Sequence, residues 1–365
     1  MVFTSSVRPS PTMRVAFVSI RSPEHEETGS SRKLCRTARL LASRGHEVTV
    51  FCAQWWDGEN PERVVEDVRY HAVTTDTTAQ WSFASVLPAL VLAYDPDVVH
   101  AGYAPPQQVL GAKLGAKLAG VPLVVDWHGD EAVDGQAADM AARVPDVVLT
   151  PSRLVSTAVL EHGAEESAIK VLPESIDMDL VRNAPVEENV DVVYAHDLDE
   201  DANLEALLLA LAELRERDWR CVVVGDGPER DRYEGQTADL RIEDRVEFVG
   251  DLPLERRLAY YRSAHVFVQT ARKECFAREL LWALACGCVG VVEYQARSSA
   301  HELVEHHERG LRTTSTRELT DAIVSAADME ELDVDESIDE YDHEKLLQET
   351  VGLYNRLREE YGTLD

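Results

Sequence analysis

The carboxylate of Glu274 stands between a strand-like apolar run at residues 265–270 and a helix-favouring stretch at 279–284 that Gly287 stops. Bringing a strand end and a helix start together around one acid is how open α/β sheets build ligand sites. Arg272, Lys273 and Arg278 flank it within seven positions. Three cations so placed can meet phosphate oxygens through charged hydrogen bonds, although solvated surface charge is the ordinary fate of an arginine. Downstream, Ser298 and Ser299 precede Glu302, and the Ser299–Glu302 spacing is that of a capping box. Hydroxyls and helix amides there would face the same anion. Asp197, Asp199 and Asp201 offer a different chemistry, a bound divalent cation, but the glycine and terminal glutamate of an EF-hand loop are missing. His100 and His128 each fall where a strand ends, on the rim where open sheets present ligands; a lone histidine there is more often structural.

The elements that must position these groups alternate. Residues 13–20 form a buried-strand pattern, followed by a loop to Gly29 and a helix with Leu34, Ala38 and Leu41 on one face, capped at Gly45. A strand at 46–52 completes a βαβ unit, which requires a parallel sheet. Strands at 97–102, 122–129, 146–152 and 169–177 follow, with helices at 107–118 and 153–162 between them. A polar, acidic connector at 178–189 separates this half from a second alternation: strands at 190–194, 220–225 and 245–250, and a helix at 204–216. Gly225 and Gly227 make a turn between strand and helix. The last stretch, 339–361, puts Leu346, Leu347, Val351, Tyr354 and Leu357 on one helical stripe. The expected organisation is a disordered tail at 1–12, a first domain at 13–177, the linker 178–189, a second domain at 190–335, and a C-terminal helical segment at 336–365.

Residues 274–287 resemble the signature of glycosyltransferase family 4, in which a glutamate, seven residues and a second glutamate precede the run AMACG. Glu274, Cys275, Phe276 and Ala277, then ALACG at 283–287, keep that frame, with Trp282 at the second glutamate. VGDGPE at 224–229 repeats the family's wording, and Gly29 with Ser30, Ser31 and Arg32 resembles its first glycine loop. His128 matches a histidine that touches the donor sugar. The resemblance covers nearly the whole chain and implies an α/β GT-B fold: two Rossmann-like domains with parallel sheets facing an interdomain cleft, and a C-terminal helix crossing back to the first domain. It further implies a retaining transferase moving a hexose from a nucleotide-sugar donor to a glycan or lipid-linked acceptor, with no enzyme nucleophile, no obligatory metal and no cofactor. In that frame Glu274 hydrogen-bonds the donor hydroxyls, His128 contacts the sugar, and the helix opening at Ser299 faces the diphosphate. Gly29, Gly225 and Gly227 belong to the donor site that the resemblance implies, and Arg272, Lys273, Arg278, Ser298 and Glu302 complete it on the reading of the residues given above.

One departure bears on the chemistry. The family clamps the diphosphate with the arginine and lysine of a Gly-Arg-Leu-x-x-x-Lys-Asn turn, and the aligned text here begins at His196, with Asp197 at the arginine and Ala202 at the lysine. At about 1.5–3 kcal/mol per charged hydrogen bond, losing both costs about two to four powers of ten in rate. Either Arg272, Lys273 and Arg278 substitute, or a cation bound at Asp197, Asp199 and Asp201 does, or the chain is a catalytically degenerate scaffold or regulatory subunit. A sugar-nucleotide epimerase of related fold is disfavoured, because its acid and base residues are not evident.

Composition narrows the partners. With 67 acidic against 36 basic residues, the formal charge of -31 repels phosphate backbones and anionic headgroups, so nucleic acid is excluded and membrane contact is at most peripheral. Only six of the basic residues are lysine. An acidic, lysine-poor surface suits concentrated salt, where a Debye length of roughly 3 Å or less screens self-repulsion. The six cysteines form no C-x-x-C pair and read as reduced core thiols in a cytoplasmic protein. No apolar run is long enough to span a bilayer, and the polar start does not read as a signal peptide.

Overall fold

The computed structural model describes residues 12–131, 135–186 and 190–363. Among them, those within Met1–Thr150, Val155–Val171 and Leu347–Asp365 form one compact unit, and Pro151–Leu154 with Leu172–Leu346 form the other.

The first unit is built on an eight-stranded sheet: β1 (Arg14–Val18), β2 (Glu47–Ala53), β3 (Glu62–Val65), β4 (Val68–Thr74), β5 (Val98–Gly102), β6 (Leu123–Asp126), β7 (Val147–Thr150) and β8 (Ile169–Val171). Their order is β3-β4-β2-β1-β5-β6-β7-β8, and every pair is parallel except β3 with β4. The chain leaves β1 in one direction and returns on its other side at β5. The helix Gly29–Ser43 starts at a Thr28 cap whose hydroxyl accepts the Ser31 N–H while the Ser31 hydroxyl accepts the Thr28 N–H. The hairpin at Glu62–Thr74 and the helix Gln80–Tyr94 were not anticipated from the sequence. The hairpin's first strand is largely exposed, so it lacks strand alternation; the helix is apolar on most sides and contains Pro88, so it shows no helical period.

The second unit carries β9 (Val192–Ala195), β10 (Cys221–Val224), β11 (Val246–Gly250), β12 (Val266–Gln269), β13 (Lys273–Glu274), β14 (Val289–Glu293), β15 (Arg297–Ser298) and β16 (Gly310–Thr313). Six of them make a parallel sheet of order β11-β10-β9-β12-β14-β16, while β13 and β15 pair separately. Alternation along each strand feeds two cores. Val193, Ala195, Val222, Val224 and Phe267 enter one; Val192, Tyr194, Cys221, Val223, Val266 and Val268 enter the other. Each valine or phenylalanine among them, fully buried, contributes about 1.5–3 kcal/mol, which is why helices cover both faces. Trp282, at the family's second glutamate, lies in the first core with Leu281 and Leu284.

The expected boundary shifts. Leu172–Asp177 group with the second unit, and the expected connector begins with a helix, Met178–Asn183, whose Asp177 cap accepts the Asp179 and Leu180 N–H groups at 3.0 and 3.1 Å. Asp177 is an N-cap signal that the acidic composition of the segment hid. The tail 1–11 and connector residues 187–189 lie outside the described residues. The last helix is His343–Gly362, preceded by a 3-10 turn at Glu336–Tyr341, and its Leu347 onward groups with the first unit.

Candidate functional site

In the second unit β9 and β12 are neighbours, but the chain reaches β12 only after building β10 and β11 on the far side of β9. The loops leaving β9 and β12 therefore diverge and open a crevice, the usual place for a ligand in such a sheet. His196 leaves the end of β9, and Glu274 lies in β13, just past β12. His196 Nε2 stands 3.5 Å from Glu274 Oε2, and its Nδ1 is 2.8 Å from the Asp197 carbonyl. Burial alone would lower the imidazole pKa. The Glu274 carboxylate, the Asp197 carbonyl and the Asp199 charge outweigh it and raise the pKa to about 9. His196 is thus an imidazolium at neutral pH, donating from Nδ1 to the Asp197 carbonyl and facing the Glu274 carboxylate with Nε2.

Two glycines let the next loop approach. A Cβ at Gly225, where φ is +121°, would stand 2.1 Å from the His196 carbonyl oxygen, and one at Gly227 would stand 2.5 Å from that of Leu198. No side chain fits at either position. Glu274 is positioned by its pairing with Ser298 across β13 and β15, and by the Ser299 N–H, which donates to the Glu274 carbonyl at 2.8 Å. The Ser299 hydroxyl donates to the Cys275 carbonyl at 2.8 Å, as does that of Ser152. Both serines at 298 and 299 are buried, so their work is to brace the strand that carries the acid.

Several expectations are corrected here. Ser299 makes no side-chain cap, and the helix after it, Ala300–Val304, has five residues. Glu302 does not reach back to Ser299; it accepts the backbone N–H groups of Arg153 and Leu154 at 2.9 and 3.0 Å. Arg272 carries its own counter-charge, donating to Glu205 at 2.6 Å, to the Asn203 side-chain Oδ1 at 2.7 Å and to the Glu200 backbone carbonyl at 3.0 Å. Burial would raise the Glu205 carboxyl, but Arg272 holds it below the usual carboxylate value. Arg278 lies 3.8 Å from Glu174, which is buried. Lys273 is exposed. Of the triplet considered for a cation, Asp199 already accepts the Asp201 and Ala202 N–H groups at 2.9 and 3.0 Å. Asp197 is exposed, whereas Ala202 is fully buried under the Tyr194 hydroxyl, which donates to its carbonyl. Asn203, in the left-handed region at φ +53°, ties this turn to Thr270 and Glu293.

In the first unit, His128 follows β6. A Cβ at Gly29 would lie 2.4 Å from its Cε1, so the first residue of the helix Gly29–Ser43 is glycine because the imidazole packs on it. His128 Nδ1 is 3.4 Å from Asp130, whose carboxylate also accepts the Ser30 N–H at 3.4 Å. Glu131 accepts the His128 and Gly129 N–H groups at 3.3 and 2.7 Å. Burial and the neighbouring Asp130 raise the Glu131 pKa; in Asp130 burial is overcome by His128, which keeps it low. Beneath this loop is a buried quartet. Lys33 Nζ is 2.9 Å from one Asp126 oxygen, His100 Nε2 is 3.0 Å from the other, and the Tyr354 hydroxyl meets His100 Nδ1. His100 belongs to this internal network, stacked on Phe17, and not to the rim.

Sequence reasoning missed His196, Asp130, Glu131, Asn203 and Glu205. His196 carried a usable signal, since it ends its strand as His128 does and stands beside the two positions where the clamp residues are lost.

The description Glycosyl transferases group 1 matches residues 177–342, and Glycosyltransferase Family 4 matches residues 28–180. The chain is 25% identical over 301 residues to the GDP-mannose-dependent alpha-(1-6)-phosphatidylinositol monomannoside mannosyltransferase of Mycobacterium tuberculosis, covering 75% of this chain and 78% of that one. It is 26% identical over 346 residues to the D-inositol 3-phosphate glycosyltransferase of Acidothermus cellulolyticus, covering 78% and 76%. A glycosyltransferase structure from Rickettsia africae superposes with a TM-score of 0.76 at 14% identity, over 95% of this chain and 99% of that one. The Anabaena protein HepE, solved in complex with UDP, gives 0.72 at 18%, over 94% and 100%.

Proposed function

We propose that the chain is a family-4 glycosyltransferase of GT-B fold, residues 28–180 matching Glycosyltransferase Family 4 and residues 177–342 matching Glycosyl transferases group 1, and that it moves a hexose from a nucleotide-sugar donor to a glycan or lipid-linked acceptor. The observation that carries this reading is Glu274, half-buried and braced at the divergence of β9 and β12, beside a glycine loop too close for any side chain. An acid so placed accepts hydroxyl donors, and the glycines let the Gly225 loop pack directly on the backbone of residues 196–198 beside it. Transfer proceeds with retention and without a metal or cofactor, as the family resemblance implies, and His128 with Gly29 serves the sugar from the first unit. The names of the mannosyl- and inositol-phosphate relatives support a polyol or lipid-linked acceptor.

A thermal-shift panel of UDP, GDP, ADP and their hexose conjugates in molar KCl tests the reading. One nucleotide and its sugar conjugate should raise the melting temperature together. No shift from any of them would favour a second reading, a degenerate scaffold or regulatory subunit, for which the exposed Asp197 in place of the clamp arginine speaks.

The same assay addresses a halophilic, cytoplasmic setting, proposed from the charge of -31 and the six lysines. Self-repulsion is screened only when the Debye length shrinks to roughly 3 Å near molar salt. Melting temperature should climb steeply from dilute buffer to molar KCl; a flat profile would remove the halophile claim.

A further inference from the structure

We propose that His196 is the cation that meets the donor diphosphate in this chain, replacing the clamp whose arginine and lysine positions hold Asp197 and Ala202. This role presupposes the transferase reading and adds to it a specific binding residue. His196 occupies the position of the family's glycine, which has no side chain, so the chain gained a basic group one residue before the place where it lost one.

The geometry selects His196 over the other basic groups. It leaves β9 at the point where the β9 and β12 loops part. Its side chain is 15% exposed, which keeps most of the ring out of water while leaving an edge reachable by a ligand. Arg272 is spent on Glu205 and Asn203, and Arg278 stands against Glu174. Lys273 points its charge into solvent, where attraction to a phosphate is weakest.

The charged groups around the ring can be named element by element. Asp197 and Asp199 belong to its own loop, and Glu274 faces it from β13. From the β10 side the Gly225 loop brings Asp226, but that carboxylate is turned to Arg230 at 3.2 Å and to the Gly227 N–H at 2.8 Å. The ring therefore sits among acids, and its positive charge is maintained at neutral pH.

The two ring nitrogens are committed unequally. Nδ1–H donates to the Asp197 carbonyl at 2.8 Å, an ordinary hydrogen bond that fixes the ring plane. Nε2 lies 3.5 Å from Glu274, beyond the roughly 2.7–3.2 Å range of N–H···O bonds. The ring keeps that proton, but its contact with Glu274 is long and can be exchanged for a shorter one. When a diphosphate oxygen arrives, the Nε2–H turns its hydrogen bond to it while the ring stays protonated, and the freed Glu274 carboxylate accepts a donor hydroxyl. One exchange thus arms both halves of the donor site, phosphate and sugar.

Isothermal titration of UDP, GDP and ADP in molar KCl, from pH 7 to 10, compares the wild-type protein with His196→Gln and His196→Lys. At pH 7.5 His196→Gln should bind the preferred nucleotide roughly ten- to a hundredfold more weakly, the range of one charged hydrogen bond, and His196→Lys should recover most of the loss. The imidazole pKa is raised, so the charge is complete well below pH 9 and disappears as the pH rises through it. Wild-type affinity should fall by up to about tenfold between pH 8 and pH 10, the loss that one proton with a pKa near 9 allows, and His196→Gln should show no such fall. Equal binding by wild type and His196→Gln, or the same basic limb in both, overturns the assignment and leaves the transferase reading standing. Absence of binding by the wild type to any of the three at every pH overturns the transferase reading and His196 with it. If His196→Gln fails to fold, His196→Lys supplies the comparison, and its affinity should hold beyond the pH at which the wild type loses it, because a lysine ammonium titrates higher than this imidazole.

Discussion

Asp126→Ala destabilises the first unit by about 3–5 kcal/mol, the loss expected when one partner of a buried ion pair is removed. Asp126 faces Lys33 at 2.9 Å and His100 at 3.0 Å, and neither the Lys33 nor the Asp126 side chain is more than 8% exposed. Deleting the carboxylate leaves an ammonium buried against a site built for its counter-charge. Because a domain is stable by only about 5–15 kcal/mol, the effect is visible in urea denaturation at fixed molar KCl. Burial opposes ionisation of Asp126, but Lys33 and His100 overcome it and hold its pKa below the ordinary carboxylate value. A depressed acid contributes stability that is present above its unfolded pKa of about 3.9 and lost as pH falls toward the folded value. The gap between wild type and Asp126→Ala should accordingly narrow in acid. Substituting Lys33→Met alongside Asp126→Leu should recover much of the stability, since apolar replacement of a whole buried pair is often neutral. A loss under about 1 kcal/mol for Asp126→Ala would show that the quartet does not hold the fold.

Asp197→Arg tightens nucleoside diphosphate binding by roughly ten- to a hundredfold. The change removes an anion and installs a cation at the family's arginine position, and one charged hydrogen bond accounts for that range. Asp197 is exposed, so an arginine there meets no packing obstacle. Ala202 differs. Its side chain is fully buried in the core with Tyr194 and Leu204, and a lysine introduced there must carry an ammonium into apolar surroundings or displace the turn. Ala202→Lys should therefore lower stability before it improves binding, and the single Asp197→Arg variant is the informative one. Titration with the nucleotide selected by the thermal-shift panel checks this. Unchanged affinity would mean that the turn at residues 197–203, pinned by Asn203 and Arg272, holds the new side chain away from the phosphates.

Several of these features are local and were readable in the chain itself. The alternation of apolar runs with glycine-stopped helices specifies two parallel α/β units, because a buried strand and its crossover helix are encoded in adjacent residues. ALACG at 283–287 and VGDGPE at 224–229 carry the family resemblance, and Glu274 follows from its place after a strand. The close approach at Gly225 and Gly227 is likewise written into residue type, since no other residue fits.

Tertiary structure decided which charges are available. Arg272, Lys273 and Arg278 look equivalent along the chain; Glu205, 67 positions from Arg272, neutralises the first, and Glu174 faces the third. Ser299 and Glu302 have capping-box spacing, but the amides of Arg153 and Leu154 compete for that carboxylate and win it. Ala202 and Asp197 read as two equal losses, yet one is core and the other surface. His196 reads as an incidental residue until parallel pairing sets β12 beside β9 and brings Glu274 to it across 78 positions. The physical reason is common to all four. Helix and strand tendencies depend on neighbours a few residues away, whereas the charge and reach of an ionisable side chain depend on partners that only the folded sheet brings near.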